Sequence, residues 1–240
     1  MRRIGVTGHR KLENPAAIEA LVKQAIDAEI AGLFPPESRL KLEPARQAGA
    51  TPISFRVLSA LAEGADRVVA RAVLSYPGAR LEAVLPLALE DYLEDFASEE
   101  SRAEFAALLA RCGKPVLLRS RRILQDSSSP AGQAELRKDA YAQAGRYVVD
   151  RCDLLIAVWD GEPSSGHGGT AEIVQYAKEQ GRPIVRVWGG FFEVLNAGGN
   201  NGLDASALDG VDRFNRQAAT PGERARSSRN AIRLESVIRP

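Results

Sequence analysis

The sequence predicts an α/β protein whose mostly parallel sheet is covered by helices on both faces, and three observations predict it. Short β-rich runs alternate with longer helical segments along the chain, the pattern that yields a parallel sheet under helices. The most apolar run, Asp153-Leu154-Leu155-Ile156-Ala157-Val158-Trp159, shows no polar alternation across its middle, as expected of a central strand covered on both sides. Stop signals punctuate the runs, as at Gly181-Arg182-Pro183, where Gly ends a helix and Pro bars its continuation. Together these give a Rossmann-like three-layer α/β/α domain over residues 1–190, followed over 191–240 by an irregular, partly ordered, arginine-rich C-terminal tail.

The first strand is Arg3-Ile4-Gly5-Val6-Thr7. Asn14 then offers a cap and Pro15 the first helical position, after which Ile18, Leu21, Val22, Ala25, Ile26, Ile30 and Leu33 recur at spacings of three and four, one apolar stripe that must pack on something. Residues 34 to 52 hold four prolines and no periodicity, which predicts a long surface excursion before a strand at Ile53 to Leu58. A helix from Ala65 to Ser75 ends at Tyr76-Pro77-Gly78, and a third strand, Arg80 to Leu85, stops at Pro86. Asp91-Tyr92-Leu93-Glu94-Asp95-Phe96 forms a short acidic helix or a lid, ahead of a helix over Ser101 to Cys112. The strand Pro115 to Arg119 leads into the polar breaker Ser127-Ser128-Ser129-Pro130, and a long helix over Gln133 to Arg151 precedes the apolar strand. The next helix begins at Thr170, and the strand Ile184 to Trp188 follows. Beyond Gly189 the chain is expected to loosen, through the flexible stretch Ala197-Gly198-Gly199-Asn200-Asn201-Gly202, and residues 211 to 240 carry seven Arg against Asp212, Glu223 and Glu235.

Composition bounds the function. At 240 residues and 25.9 kDa, folding buries roughly 72% of the extended-chain surface, so the core needs no disulfides. Hydrophobic residues at 45% and charged residues at 26% exclude disordered, collagen-like and fibrous classes. No apolar stretch reaches the ~18 residues of a membrane span, and Met1-Arg2-Arg3-Ile4-Gly5-Val6 leads into a strand, so a cytoplasmic protein with no membrane partner is expected. Cys112 and Cys152 have neither CxxC spacing nor a His partner, which makes them small core residues and leaves no metal site expected. The formal charge of +1, from 32 Lys+Arg against 31 Asp+Glu, gives no global pull toward nucleic acid, so any phosphate recognition is local.

Three loops that follow strands carry unusual residues, and in an open parallel sheet ligands bind where such loops leave the carboxyl ends of strands. In Val6-Thr7-Gly8-His9-Arg10, Gly8 permits close backbone approach, while His9 and Arg10 offer donors to phosphate or a sugar. A dinucleotide glycine fingerprint is absent, which argues against a standard NAD site, and no cofactor is expected. In the second loop Ser59 offers a hydroxyl, Glu63 is a candidate ligand contact, Gly64 frees the turn, and main-chain amides of the new helix make an anion nest. Asp66 there is either a ligand group or a first-turn acid complementing the helix dipole, with Arg67 in solvent. The third loop, from Trp159 and Asp160 to Gly166-His167-Gly168-Gly169-Thr170-Ala171-Glu172, places three glycines just ahead of a helix. Thr170 is its expected cap, and Glu172 in the first turn either faces the crevice or merely complements the dipole. His167, set among glycines, suits a gate better than a base.

The three loops together resemble the SLOG superfamily, the Rossmann-like group that includes the Smf/DprA DNA-processing proteins, the YpsA-type proteins and the Lonely-Guy phosphoribohydrolases. The similarity spans residues 3 to 188 and rests on Val6-Thr7-Gly8-His9-Arg10, on Ser59-Ala60-Leu61-Ala62-Glu63-Gly64-Ala65-Asp66, and on Arg146 to Gly161 continuing to Gly168-Gly169-Thr170. It implies a nucleotide-derived small molecule across the crevice, with Gly168, Gly169 and Thr170 at its phosphate and Arg10 and Arg146 as polar contacts. Ser165-Gly166-His167 departs from the proline-led Lonely-Guy motif, so phosphoribohydrolase activity is not carried over. Asp153 to Asp160 followed by Gly169-Thr170-Ala171-Glu172 also resembles nucleoside 2-deoxyribosyltransferases, which implies Glu172 as a nucleophile on a sugar carbon. Two functions therefore stand side by side. One is a binding module or sensor for a nucleotide or nucleotide sugar, with homodimerisation through helix faces as the means of reporting it. The other is an N-glycosidic hydrolase or transferase using Glu172, with Asp66 or Asp160 handling the proton. Single-strand nucleic-acid binding through the arginine tail ranks third, because no aromatic stacking platform is evident.

Overall fold

In the computed structural model the described residues are 1–33, 53–119, 129–163 and 168–196. The expectations for the 34–52 excursion, Ser127 and Ser128, His167 and its neighbours, the glycine stretch after 196 and the arginine tail fall outside them. In chain order the elements are β1 (Arg2–Gly8), α1 (Pro15–Gly32), β2 (Phe55–Ser59), α2 (Ala65–Leu74), β3 (Arg80–Leu85), α3 (Leu89–Leu93) and α4 (Glu99–Leu109). Then come β4 (Val116–Leu117), α5 (Pro130–Arg151), β5 (Leu154–Val158), α6 (Thr170–Glu179), β6 (Ile184–Trp188) and β7 (Phe191–Asn196). The strands form one seven-stranded sheet in the order β4-β3-β2-β1-β5-β6-β7. Every pair is parallel except β6 with β7, so the architecture is the Rossmann-like α/β fold.

Alternation along the strands explains the two covered faces. Ile4 and Val6 of β1, with Leu154, Ile156 and Val158 of β5, pack with the buried stripe of α1 and with α2. Leu155 and Ala157 face the other way, onto Val148 and Val149 of α5 and Ile173 and Val174 of α6. Both sets are apolar, which is why β5 lacks the polar alternation of a half-exposed strand. Gly5 lets α5 lie against β1: a Cβ there would stand 2.7 Å from Val148 Cγ1 and 2.9 Å from Cys152 Cβ. Burial pushes the Cys152 thiol up to about 11, consistent with an inert core residue.

Local signals set the helix starts. Asn14 Oδ1 accepts from Ala17 N at 3.1 Å with Pro15 behind it, and Ser129 Oγ accepts from Gly132 N at 3.1 Å, starting α5 three residues before Gln133. Two expectations are corrected. The chain does not loosen after Gly189: Gly189 and Gly190 both take positive φ, 61° and 83°, and turn it into β7 with Trp188 opposite Phe191, the geometry of a two-residue hairpin. Of the two readings of the acidic segment, the short helix is the one the structure holds, as α3, and the lid is corrected, since Tyr92 and Phe96 are buried against Phe105 with ring centroids 5.0–5.8 Å apart. No helix among the described residues is long and apolar enough to cross a membrane.

The chain builds β1 to β4 outward in one direction, then returns through α5 to place β5 on the far side of β1. The direction of strand addition thus reverses between β1 and β5, and the crevice outside the carboxyl ends of strands at such a reversal is where this fold class holds ligands.

Candidate functional site

A cavity of 130 Å³ opens at the carboxyl ends of the sheet beside β1. All three loops reach it: Gly8 and Arg10 from the first, Ala60, Ala62 and Asp66 from the second, Gly168 and Thr170 from the third. Tyr92 after β3 and Tyr141 of α5 complete its polar lining.

The first loop is fixed by main-chain packing. A Cβ on Gly8 would stand 2.5 Å from both Val158 O and Ala65 Cβ, so the glycine makes room for β5 and α2 and not, as expected, for a ligand alone. Ala65 N donates to His9 O at 3.0 Å, and Gly64, at φ 76°, would bring a Cβ within 2.3 Å of Arg10 O. The start of α2 is thereby pressed onto the loop that carries Arg10. The Arg10 guanidinium lies 5.2 Å from the Tyr141 ring centre and 3.6 Å from Asp95 Oδ2. Burial opposes its charge, yet Tyr141, Tyr92 and Asp95 raise its pKa above the ordinary value. Asp95 also accepts from Tyr141 Oη and, at 2.6 Å, from Arg137 Nη1, so Arg10 is the loosest of its three partners.

In the second loop the predicted anion nest is already filled. Ser59 Oγ donates to Asp66 Oδ2 at 2.9 Å and accepts from Leu61 N at 2.9 Å, and the amides of Ala60 and Ala62 also donate to the Asp66 carboxylate. The anion in the nest is the protein's own side chain. Burial pushes the Asp66 carboxyl up to about 6, against the pull of Ser59, the two amides and Arg10. The tight bracket holds Leu61 at φ 59° while fully buried, a left-handed conformation costing about 1–2 kcal/mol for a side-chain-bearing residue. Arg67 is not in solvent: it is 2% exposed, donates to Leu61 O at 3.1 Å and to Glu104 at 3.0 Å, and lies over the Phe96 ring. Glu63 turns away from the cleft and accepts from Ser101 Oγ at the start of α4.

The third loop is also corrected in detail. Gly169, not Thr170, is the N-cap of α6, Thr170 is its first helical residue, and no side chain caps the helix. Glu172 Oε2 reaches back to Gly168 N at 2.8 Å, and its Oε1 accepts from Arg146 Nη2 at 2.9 Å. The bond lands one residue before the N-cap, so it is not a capping box, but it places the acid where the helix dipole favours it. Gly168, at φ 80°, passes α5 so closely that a Cβ would stand 2.7 Å from Lys138 O. Neither Glu172 nor Arg146 lines the cavity.

His9 and Asp160 form a separate pair on the β5 side of β1. His9 Nε2 lies 3.2 Å from Asp160 Oδ1 and 3.3 Å from the Asp160 main-chain nitrogen, with its ring edge-on to Trp188 at 5.0 Å. Burial works to raise the Asp160 pKa, but the Glu162 N–H and His9 outweigh it and hold the carboxyl below its usual range. Of the sequence candidates, the cavity therefore gathers Gly8, Arg10, Asp66, Gly168 and Thr170, with Ser59, Gly64 and Gly169 supporting from behind. It does not gather His9, Glu63, Arg146, Asp160 or Glu172. Sequence reasoning missed Tyr92 and Tyr141; the available signal was Tyr141 four residues after Arg137 on one helix face, opposite the acidic segment. No protein-family model matches the chain, and no curated protein matches it significantly.

Proposed function

We propose that this cleft binds a nucleotide or nucleotide-sugar derivative and that the domain acts as a ligand-binding module. The observation that carries the reading is the convergence on one cavity of a guanidinium, a buried carboxyl and a helix start, Arg10, Asp66 and Gly168–Thr170, beside two tyrosines. Arg10 supplies the planar donors that suit phosphate, and the first-turn amides of α6, which lack intrahelical partners, favour an anion. Asp66 takes a hydroxyl of the sugar, and the half-buried Tyr141 offers ring surface to the base. A panel of nucleotides and nucleotide sugars tests this by thermal shift: a ligand at about 100 times its Kd stabilises the native state by about 2.7 kcal/mol. The shift is expected to shrink to about 0.4–1.4 kcal/mol in Arg10→Ala, and a panel that moves nothing would overturn the reading.

The second reading, N-glycosidic hydrolysis or transfer, is favoured by one observation: Asp66 holds a proton to about 6 at the cavity wall, as a general acid toward a departing base requires. Chromatography for released base, lost in Asp66→Asn, tests it. The nucleophile role of Glu172 is tested by Glu172→Ala in the same assay, against the alternative that this acid only holds Gly168 and Arg146.

A further inference from the structure

Among the described residues that line the cleft Arg10 is the one guanidinium and Asp66 the one carboxyl, and they influence each other directly, since Arg10 draws the Asp66 carboxyl toward its charged form. An anion that settles on Arg10 takes that influence away and sets a second negative charge facing Asp66 in a space of 130 Å³. Asp66 cannot swing clear. It is buried, and Ser59 Oγ and the amides of Ala60 and Ala62 grip it. The groups that face it are Arg10 from the β1 loop, Tyr92 after β3, and Tyr141 of α5 with Asp95 beyond it; Glu63 and Arg67 on its own loop and helix point elsewhere. A proton on Oδ2 strands no donor, because the Ser59 hydroxyl has a second acceptor in the Asp66 main-chain oxygen at 3.5 Å.

Resting on the cleft as an anion-ligand site, we infer that Asp66 sets the ligand charge the cleft accepts: seating an anionic group at Arg10 takes up one solvent proton, carried by the Asp66 carboxyl. The carboxyl stays in its bracket and changes from acceptor to donor. Ligand recognition and proton uptake are then one event, and the cleft prefers anions in mildly acid solution. Burial has already brought this group near neutrality, so the proton is available where the protein is folded.

Titration calorimetry with two probes tests the inference. Inorganic sulfate and ADP-glucose both hold a constant charge between about pH 5 and pH 8, so any pH dependence belongs to the protein. In wild type the Kd is expected to weaken about tenfold for each pH unit above roughly 6, with close to one proton taken up per ligand, read from buffers of different ionisation enthalpy. In Asp66→Asn the Kd becomes flat with pH and, near pH 8, tighter than wild type. Ser59→Ala, which removes a donor that favours the charged carboxylate, shifts the wild-type midpoint upward and serves where the Asn variant folds poorly. Sulfate or ADP-glucose binding with no proton uptake, or with the wild-type slope kept in Asp66→Asn, overturns this inference and leaves the ligand site standing. Absence of binding by both probes at every pH overturns the ligand-site reading itself.

Discussion

Two carboxylates stand beside the same strand end and carry opposite shifts. Asp66, on the β2 side of β1, is 8% exposed and its carboxyl is pushed up to about 6; Asp160, on the β5 side, is 35% exposed at its side chain and is held below the usual range. Both accept main-chain N–H groups and both have a cationic or ring-nitrogen neighbour. What differs is water. On one side burial outweighs three donors, and on the other the donors outweigh burial. The residues that serve these sides are consecutive: Gly8 and Arg10 line the cavity while His9 between them turns to Asp160 and Trp188.

The largest expected effect breaks both sides at once. Gly64 holds the β1 loop against α2 at φ 76°, with a Cβ position 2.3 Å from Arg10 O, whereas Gly78, at φ 70°, has nothing within 4 Å. Gly64→Ala combines conformational strain with a main-chain clash and is expected to cost about 3 kcal/mol or more, against about 1 kcal/mol for Gly78→Ala, which meets the strain alone. Urea denaturation of the two variants checks the difference, and equal costs would show that the loop contact can relax.

The second prediction separates the carboxylates by pH. An unfolded Asp titrates near 3.9, and the native Asp66 near 6. Because the native value is raised, its contribution to stability is fully present below the unfolded pKa and is lost as pH rises through about 6, amounting to roughly 3 kcal/mol for a fully buried group. Asp66→Asn should remove this loss from a pH series of unfolding curves. Asp160 has the opposite sign: its native value is lowered, so its contribution is present above the unfolded pKa and lost as pH falls below it. The Glu29 carboxyl, raised by burial beside Arg2 at the other end of β1, loses stability with rising pH in the same sense as Asp66. Glu29→Gln is therefore the control that apportions the slope.

A smaller effect is expected at Arg10. Asp95 keeps Tyr141 and Arg137 without it, so Arg10→Ala changes stability by about 1 kcal/mol or less, while nucleotide binding falls about ten- to a hundredfold for a lost charged donor. Arg10→Lys restores charge without the fork and recovers only part. A binding loss matched by an equal loss of stability would mark Arg10 as structural.

Much of this was legible in the sequence, and what was not has a common cause. Periodicity and caps located β1, α1 and the central β5, because Asn14-Pro15 and an unbroken apolar run are local signals. The Gly189-Gly190 hairpin was equally local, and its two-glycine signature preceded an alternating Phe192 and Val194 run that composition masked. The three loops that reach the cavity were legible as loops. Which side chains would share a cavity was not: the burial of Arg67 depends on Phe96 and on Ser101 of α4, more than twenty-five residues away, and the bracket of Ser59 and Asp66 and the reach of Glu172 to Gly168, though local, depend on loop backbone that composition does not specify. An acid in the first turn of a helix looks the same in sequence whether it fills a nest, as Asp66 does, or turns back onto the main chain ahead of the helix, as Glu172 does.

The smallest effect falls on the β5 side. His9 and Asp160 lie 3.2 Å apart but are each about one-third exposed, and an ion pair so placed contributes roughly 0–1 kcal/mol. His9→Gln keeps a side-chain nitrogen near Asp160 and loses the edge contact with Trp188 at 5.0 Å, so its cost stays within about 1 kcal/mol. Because the ring points away from the cavity that Gly8 and Arg10 line, the nucleotide-induced melting shift should survive in His9→Gln at its wild-type size while Arg10→Ala shrinks it. If the shift shrinks in the His9 variant as well, the ligand straddles β1 and touches both carboxylates, and the division between the two sides fails.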